Sequence, residues 1–564
     1  MSTQATPTHP LNEAIAALQS GRREQARALA EAHLGQSPND FDTLHLLAVV
    51  HLQEGDLDGA ETYYRRALEA RPGAPHALNG LGAIALARRD APTAERCFRE
   101  VLAQDPTHPE AGHNLANLLL DLGQGRAAET LLDGLVAAHP ERAPLLALRG
   151  RARWTNGDAA GALEDYRRAL ALDPELHRVW LGLGVAAFAA GDLDEAEAAF
   201  TRAAQAPDPE TAAKAVFDLG HLAYRRGHYA QAAAHFQRSA ERLPEGRFGL
   251  AMTQLLMGDY AHGWRNWRAR PSRSRPGPWH DPDPLPADAP PTDLLLVHDE
   301  GIGDELFFLR FLPVLAARGH RLRYLPSARL APLVQQLGER IPGLEVLPPG
   351  PLPTDPPEHT YLTGDLGELT GAGVSTVFPP PLSLNPDPDR RQRLAAQLAE
   401  LGPGPTIGLT WRASEEIDLP GRLLDKALPA EVLGEALGMA LEGRPATLVA
   451  VMRRPDPEGL ARLQARLDRP LHALTVDDPA DLLALMDLLD HYLAVPNTAL
   501  HLRAARNRPA HVLVPHPPEW RWGMASEVSP WFPDFTLHRA TPGGDWGPAM
   551  ARLGERLRRD LEGR

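Results

Sequence analysis

The sequence contains little cysteine, no long apolar run and no excess of positive charge. Its 564 residues include one cysteine, Cys97, which excludes a disulfide framework and indicates a reducing compartment. We expect Cys97 to be a packing residue between helices. The formal net charge of −15 argues against a general nucleic-acid or anionic-membrane binder. No stretch approaches the ~18 apolar residues of a membrane span, and the N-terminus resembles no signal peptide. We therefore expect a soluble, cytoplasmic protein without a membrane span.

Proline and alanine recur at a fixed spacing through the first half of the chain. Prolines one period of 34 residues apart are Pro38, Pro72, Pro106, Pro140 and Pro174. Alanines with the same period are Ala26, Ala60, Ala94, Ala128, Ala162 and Ala196. Small residues twelve positions before these alanines are Ala14, Ala48, Gly82, Ala116, Gly150 and Gly184. A 34-residue unit with these marks is the signature of the tetratricopeptide repeat (TPR).

The repeat has a physical basis. Small residues let two helices of a hairpin approach closely, and proline ends the second helix because it lacks an N–H group. One hairpin cannot bury its apolar face alone, so neighbouring hairpins stack into a solenoid. We predict an all-α TPR superhelix over residues 7–270, with about seven repeats and a shortened last hairpin near Gly258.

A linker is predicted over residues 271–291. Seven prolines lie between Pro276 and Pro291, and a run of arginines comes before and at the start of this segment: Arg265, Arg268, Arg270, Arg273 and Arg275. Proline-rich segments are extended and semi-rigid. The arginines could bind an anionic group, but we favour a solvated helix end and linker.

The remaining sequence alternates short apolar strands with helices, which predicts parallel sheets. In residues 292–388 the predicted strands are 294–297, 322–325 and 344–347, with helices over 304–317 and 330–337. In residues 389–564 they are 406–411, 447–451, 472–474, 491–495 and 511–514, with a helix near 390–401. Two Rossmann-like halves imply a cleft at the carboxyl ends of the strands.

Three segments would meet in this cleft. The first, after the first strand, contains Gly301, Gly303 and Asp304. The glycines permit a tight turn and close approach of a ligand, and Asp304 could accept a proton from a hydroxyl. The alternative is that Asp304 and Glu305 only cap a helix.

The second segment follows strand 406–411 and contains Arg412 and Lys426. A lysine there could neutralise a phosphate leaving group; the alternative is a solvated loop lysine. The third segment contains Asn497, Thr498, Ala499 and His501. Asn497 is a good helix cap, and the following N–H groups suit a pyrophosphate, although His501 could equally be structural.

The order of these motifs resembles that of heptosyltransferase-like glycosyltransferases, and more closely that of bacterial TPR proteins carrying such a domain. The strings are DEGIGDELFFLRFLP (299–313), IGLTWRAS (407–414), LLDKALP (423–429), NTALHLRAARNRP (497–509) and PEWRWG with SPWFP (518–533). The resemblance covers about residues 290–560. It implies an α/β GT-B fold and sugar transfer from a nucleotide sugar, without a metal or other cofactor.

The resemblance also assigns roles by motif position. Asp304 would be the general base, and Lys426 would stabilise the departing nucleoside diphosphate. The donor would be bound by residues of all three segments: Gly301, Gly303, Arg412, Asn497, Thr498, Ala499 and His501. Two positions depart from the family pattern, because Asn497 stands where Asp is frequent and Ala499 where glycine is frequent.

Two functions follow from this reading. The first is a TPR-guided glycosyltransferase whose concave TPR face recruits a protein or glycan acceptor. The second is a TPR scaffold whose GT-B domain has lost turnover. Trp520 and Trp522 could stack on a nucleobase or sugar at the cleft rim, or could pack between domains.

Overall fold

The computed structural model describes residues 10–286, 289–374, 378–413, 427–454 and 456–562. The chain forms two compact units, Met1–Pro207 and Asp208–Arg564. The second unit includes four helices that the sequence assigns to the TPR array, together with both parallel sheets.

The described part of the first unit consists of antiparallel helical hairpins. Its helices are α1 (Pro10–Gln19), α2 (Arg23–Gln36), α3 (Phe41–Glu54), α4 (Leu57–Ala70), α5 (Pro75–Ala87), α6 (Ala91–Gln104), α7 (Pro109–Asp121), α8 (Gly125–Ala138), α9 (Ala143–Thr155), α10 (Ala159–Leu172), α11 (His177–Ala190) and α12 (Leu193–Ala203). The even-numbered helices from α2 to α10 end two residues before a periodic proline, as at Ala70 and Pro72. Asp56 and Asp90 are the N-caps of α4 and α6. Each side chain accepts a hydrogen bond from a backbone N–H group in the first turn of the helix that it starts.

The predicted small positions lie where two helices touch. The periodic alanines are fully buried, for example Ala60 and Ala94. A Cβ atom added to Gly82 would lie 2.5 Å from the Phe98 ring, and one added to Gly184 would lie 2.5 Å from the Phe200 ring. An aromatic ring of the second helix therefore fills the space that a side chain would need. Cys97 is buried in α6, which confirms its predicted packing role.

The second unit begins with two more hairpins. They are α13 (Pro209–Arg225), α14 (Tyr229–Ser239), α15 (Pro244–Met257) and α16 (Tyr260–Trp267). Gly258 ends α15 in the left-handed conformation, at φ 84°, which glycine adopts at little cost. The shortened hairpin predicted around Gly258 is therefore present.

The first parallel sheet follows. Its elements are β1 (Asp293–Val297), α17 (Ile302–Phe308), α18 (Leu312–Ala317), β2 (Arg321–Leu325), α19 (Ala331–Val334), α20 (Leu337–Arg340), β3 (Leu344–Val346), β4 (Thr360–Leu362) and α21 (Leu366–Thr370). The strand order is β3-β2-β1-β4, and every pairing is parallel. The predicted helix 304–317 is interrupted, because Pro313 cannot donate a backbone hydrogen bond to the preceding turn.

The second sheet is larger. Its elements are α22 (Pro388–Ala399), β5 (Thr406–Thr410), α23 (Ala430–Leu441), β6 (Thr447–Met452), α24 (Pro457–Gln464), β7 (Leu471–Thr475), α25 (Pro479–Leu488), β8 (His491–Ala494), α26 (Thr498–Ala505), β9 (Ala510–Val514), β10 (Val528–Ser529), β11 (Phe532–Arg539) and α27 (Gly547–Glu562). The strand order is β10-β11-β9-β8-β5-β6-β7, with only β10 antiparallel. The six parallel strands thus follow the 3-2-1-4-5-6 order of doubly wound folds.

The arginines before and in the linker are not a uniformly solvated group, and this corrects the sequence prediction. Arg270 is 1% exposed; its Nε donates to Asp299 over 2.8 Å and its Nη1 to Asp365 over 2.7 Å. Arg268 binds both carboxylate oxygens of Glu368. Arg268 and Arg270, which directly follow α16, therefore attach this helix to the loop after β1 and to residues 365–368. Among the described residues, no helix combines the length and apolar character that a membrane crossing requires.

Candidate functional site

In each parallel sheet the order in which the chain adds strands reverses at one point. The predicted site residues follow strands that lie next to these points. In the first sheet the change lies between β1 and β4, and in the second between β5 and β8. Ligands of such sheets bind beside the carboxyl ends of the strands at the change of direction. Residues 298–305 follow β1, Arg412 follows β5, and Asn497 follows β8.

The loop after β1 is fixed by a buried carboxylate. One oxygen of Asp299 accepts hydrogen bonds from the Thr363 hydroxyl and the Gly364 N–H, both over 2.7 Å, and the other accepts from Arg270. The left-handed residue of this turn is Glu300, at φ 60°, whereas Gly301 caps α17 at an ordinary φ of −84°. The tight turn predicted for Gly301 is therefore made by its neighbour Glu300.

Glu305 has a structural role. Its side chain is buried in α17, where one oxygen accepts from the Tyr324 hydroxyl and from the Ser327 N–H, the latter over 2.9 Å. Burial raises the pKa of Tyr324 well above its ordinary value, and the nearby carboxylate of Glu305 adds to this effect. Glu305 thus holds the loop after β2 against α17.

Asp304, the predicted general base, forms an ion pair. Its carboxylate is about one-third exposed and accepts a hydrogen bond from Arg521, which also binds Glu519. The Arg521 side chain is 6% exposed. Burial lowers the pKa of Arg521, and the neighbouring Asp304 opposes that shift. Arg521 is a site residue that the prediction missed, although it lies between two tryptophans in one of the quoted strings.

The Arg521 guanidinium lies among aromatic rings. Its central carbon is 4.4 Å from the Trp520 ring centre and 4.7 Å from that of Phe307, which is cation–π distance. Its Nε is buried and has no hydrogen-bond partner within the described ranges. The central carbon of the Arg310 guanidinium lies 4.3 Å from the same Phe307 ring centre. Burial, with a smaller contribution from Arg521, lowers the pKa of Arg310 to about 9.

The third segment has the predicted helix start. Asn497 is the N-cap of α26, because its Oδ1 accepts from the Leu500 N–H over 3.1 Å, and its amide donates to the Tyr492 hydroxyl over 3.2 Å. Thr498 is half-buried, whereas Ala499 is buried in the core. The Ala499 methyl group therefore belongs to the core behind the helix.

The first and third segments lie against each other. A Cβ atom added to Gly303 would lie 3.4 Å from both the His501 ring and the Thr498 hydroxyl. His501 also lies edge-on to Phe307 and Phe532, with ring centres 6.2 and 5.4 Å away. The absence of a side chain at Gly303 thus lets α17 approach α26, as the sequence predicted for two of the three segments.

The second segment is only partly described. Arg412 is exposed just beyond β5, where its backbone forms an antiparallel bridge with Ala427. Lys426, the predicted phosphate-binding residue, lies outside the described residues. The convergence of this segment with the other two therefore stays a prediction.

Trp520 and Trp522 are packing residues. They are 2% and 1% exposed. The Trp520 ring lies edge-on to Trp264 of α16 with ring centres 5.4 Å apart, and Trp522 stacks on Phe532. Of the two alternatives that the sequence left open, stacking on a ligand and domain packing, the structure supports packing.

A cavity of about 600 Å³ lies elsewhere in the second unit. It is lined by residues of α18 and α20 and by residues 379–383, with Arg310 and Arg340 also in its wall. None of the predicted site residues lines it. The cavity is therefore not part of the candidate site, which consists of the segments after β1 and β8 that lie against each other.

Comparison with known families identifies the repeats. One tetratricopeptide repeat model matches residues 11–75, 45–109, 147–210 and 217–261, and a second matches residues 85–152. The N-terminal region is thus composed of TPR repeats, which are typical protein-interaction modules.

Individual relatives are distant. Protein FlbA of Caulobacter vibrioides is 25% identical over 477 residues, which span 78% of this chain and 71% of FlbA. A tetratricopeptide repeat protein from Parabacteroides merdae is 16% identical, with a TM-score of 0.35 over 43% of this chain and 97% of its own. PilF of Pseudomonas aeruginosa is 20% identical, with a TM-score of 0.34 over 36% of this chain and 92% of its own. The function of the α/β part has to be argued from its residues.

Proposed function

We propose that the protein is a TPR-containing glycosyltransferase that transfers a sugar from a nucleotide-sugar donor to a protein or glycan acceptor recruited by the repeats. One observation carries the proposal. The segments containing Asp304 and Thr498 lie against each other, with Gly303 in contact distance of α26 and the buried Arg521 bound to Asp304. This combination offers a carboxylate, a cation and a helix start in one place.

The proposed reaction uses these groups as follows. The donor diphosphate lies at the start of α26, where backbone N–H groups favour anions. Arg521 then exchanges its contact with Asp304 for the diphosphate, which frees the carboxylate. Asp304 accepts the proton of the acceptor hydroxyl, the hydroxyl oxygen bonds to the anomeric carbon, and the bond from that carbon to the phosphate oxygen breaks. Arg521 and Lys426 neutralise the departing nucleoside diphosphate.

This sequence of events gives Arg521 a double role. While it binds Asp304, it occupies a carboxylate oxygen that would otherwise accept the proton of the acceptor hydroxyl. Donor binding would remove that contact, so Asp304 would be available as a base only when the donor is present.

Turnover is the first test. Purified full-length protein is mixed with a panel of nucleotide sugars, with and without cell lysate as acceptor, and release of nucleoside diphosphate is measured. We expect release from one donor that is lost in Asp304→Asn and Lys426→Ala and strongly reduced in Arg521→Lys. Asp293→Asn is the matched control, because Asp293 forms an exposed ion pair with Arg321 outside the site. Equal turnover in wild type and Lys426→Ala would remove that lysine from the mechanism.

Lysine labelling tests donor binding independently of turnover. Only two of the 58 basic residues are lysines, Lys214 and Lys426. Lys214 is on α13 and pairs with Glu210 over 2.6 Å, half-exposed, so it provides an internal control. We expect the correct nucleoside diphosphate to slow acylation of Lys426, measured by mass spectrometry, and to leave Lys214 unchanged. Equal protection of both lysines, or of neither, contradicts the proposed binding mode.

The second candidate is a TPR scaffold without turnover, and one observation favours it. The polar groups predicted to act are engaged with the protein itself, Asp304 with Arg521 and Asn497 with Tyr492 and Leu500. The absence of both nucleoside diphosphate release and thermal stabilisation by nucleotides would support this candidate. Stabilisation without release would indicate a nucleotide-binding scaffold.

A further inference from the structure

Three potential metal ligands meet at the amino ends of the strands of the second sheet. His491 is the first residue of β8, His511 is the second residue of β9, and Asp560 lies near the end of α27. One ligand atom of each lies within 4.8 Å of the others. Both histidines are buried. These residues are far apart in sequence, so no motif of regularly spaced ligands predicts a metal site here.

The distance between two of these groups fits metal ligands better than a direct hydrogen bond. Nε2 of His511 lies 3.4 Å from Oδ2 of Asp560. Hydrogen bonds from N–H to oxygen are usually about 2.7–3.2 Å long. Two ligand atoms of a tetrahedral ion with bonds of ~2.1 Å are separated by roughly 3.4 Å. The pair is therefore spaced as two ligands of one ion would be.

The surroundings orient both groups. Nδ1 of His511 lies 3.2 Å from Nε2 of His538. In the tautomer of His511 with its proton on Nδ1, this nitrogen donates to His538 and the Nε2 lone pair faces Asp560. Such a partner behind a ligand histidine is a usual feature of metal sites. Arg556 binds Oδ1 of Asp560 over 3.1 Å, which leaves Oδ2 facing His511.

We propose that His491, His511 and Asp560 bind a divalent transition-metal ion, with Zn²⁺ as the natural occupant and water as the fourth ligand. Two imidazole nitrogens and one carboxylate oxygen are a ligand set that suits Zn²⁺, Co²⁺ and Ni²⁺, whereas Mg²⁺ and Ca²⁺ prefer oxygen ligands. The sequence predicted no metal for the transfer reaction. This ion would lie at the opposite ends of the strands from the candidate site.

The consequence is structural. An ion bound by these residues joins α27 to β8 and β9, so it stabilises the folded second unit by binding to it and not to the unfolded chain. The inference is independent of the proposed glycosyltransferase activity, because metal binding and turnover are measured separately.

The experiment uses the full-length chain without a histidine tag, dialysed against a chelator. Co²⁺ is added and the visible absorption of tetrahedral Co²⁺ is followed, and Zn²⁺ is then added in competition. We expect one equivalent of Co²⁺ to produce the absorption, Zn²⁺ to abolish it, and Zn²⁺ to raise the midpoint of thermal unfolding. The absence of tetrahedral Co²⁺ absorption overturns the proposal.

Variants locate the ion. Asp560→Asn and His491→Gln should each weaken Co²⁺ binding by at least about tenfold. His262→Gln is the matched control, because His262 forms an exposed pair with Asp259 over 2.9 Å and should bind Co²⁺ like the wild type. Circular dichroism checks the fold of each variant. Because Asp560 is partly exposed and asparagine has the same shape as aspartate, we expect Asp560→Asn to fold. If His491→Gln does not fold, Asp560→Asn alone tests whether these residues bind the ion. Unchanged affinity in Asp560→Asn, or lost binding in His262→Gln, overturns the proposal.

Discussion

The two compact units use charge in different ways. In the first unit many ion pairs connect neighbouring helices at the surface, such as Arg88 with Glu61, whose side chains are 38% and 23% exposed. In the second unit Arg270 and both of its partners, Asp299 and Asp365, are completely buried. Asp165 departs from the pattern of the first unit, since it is buried and bound by arginines of α9. Buried charges thus connect distant segments mainly in the second unit.

The units also differ in how aromatic side chains pack. In the first unit a single ring faces a small residue of the neighbouring helix, as Phe98 faces Gly82. In the second unit Trp264 of α16 packs against Phe308, Trp520 and Trp531, which come from different parts of the chain. A repeat can be built from local contacts alone, whereas the α/β unit depends on contacts between residues more than 200 positions apart.

The largest expected effect comes from removing the buried arginine. Arg270→Ala leaves the buried Asp299 without its cation and the buried Asp365 with Arg273 alone, which costs about 3–5 kcal/mol of unfolding free energy. Urea unfolding followed by tryptophan fluorescence measures this loss, because eight of the ten tryptophans belong to the second unit.

The control for this experiment is a surface arginine of the same unit. Arg321 pairs with Asp293, and its side chain is 79% exposed. Arg321→Ala should therefore change the unfolding free energy by only ~0–1 kcal/mol. If both substitutions had the same effect, the contrast between buried and exposed charge would be wrong.

An intermediate effect is expected at a helix contact of the first unit. In Gly184→Ala the new Cβ atom would lie 2.5 Å from the Phe200 ring. The two helices must separate or the ring must move, which costs about 1–3 kcal/mol. Thermal unfolding followed by far-ultraviolet circular dichroism measures the change.

Gly134 provides the opposite case within the first unit. It lies in the interior of α8, and a Cβ atom added there would meet nothing within 4 Å. Gly134→Ala should stabilise the protein by ~0.5–1 kcal/mol, because alanine loses less conformational freedom in a helix. Destabilisation by both glycine substitutions would mean that contact with the ring is not what distinguishes Gly184.

The contrast between units explains which features the sequence could predict. The period of 34 residues predicted the hairpins and the small residues at their contacts, because each repeat depends on its neighbours in sequence. Most strands were predicted from short apolar runs such as 294–297 and 447–451. β4, β10 and β11 were not predicted, because residues 360–362 and 528–529 are too few to give a pattern and residues 532–539 resemble an irregular segment.

The site was predictable where local chemistry or the ends of the strands determine it. Asn497 capping α26 follows from local loop chemistry, and the approach of Gly303 to that helix follows from the rule that ligand sites lie at the carboxyl ends of the strands. The partner of Asp304 was not predictable, because Arg521 lies more than 200 residues away in sequence. The same holds for Arg270, which resembles any other arginine of a basic run. Such pairings depend on tertiary contacts that no local pattern encodes.

The smallest expected effect concerns a repeat helix that belongs to the second unit. Burial raises the pKa of Asp218, on α13, to about 7 and lowers that of His221 to about 4. The folded protein therefore holds a proton on Asp218 that the unfolded chain releases above pH ~4, so this group reduces stability as pH rises from ~4 to ~7. His221 acts in the opposite direction. Between pH ~6.5 and ~4 the unfolded chain binds a proton at this histidine that the folded protein does not, so the unfolding free energy decreases as pH falls through this range.

Substitution of either residue separates the two contributions. Asp218→Asn should match the wild type near pH 4 and exceed its unfolding free energy above pH 7 by on the order of 1 kcal/mol, because water screens this half-buried group. His221→Gln should instead become less stable relative to the wild type as pH rises from ~4 to ~6.5. Urea unfolding at closely spaced pH values measures both differences, in which all other titrating groups cancel. A difference for Asp218→Asn that does not vary between pH 4 and pH 8 would mean that Asp218 titrates in the folded protein as it does in the unfolded chain, and that this helix carries its charge at the surface like the helices of the first unit.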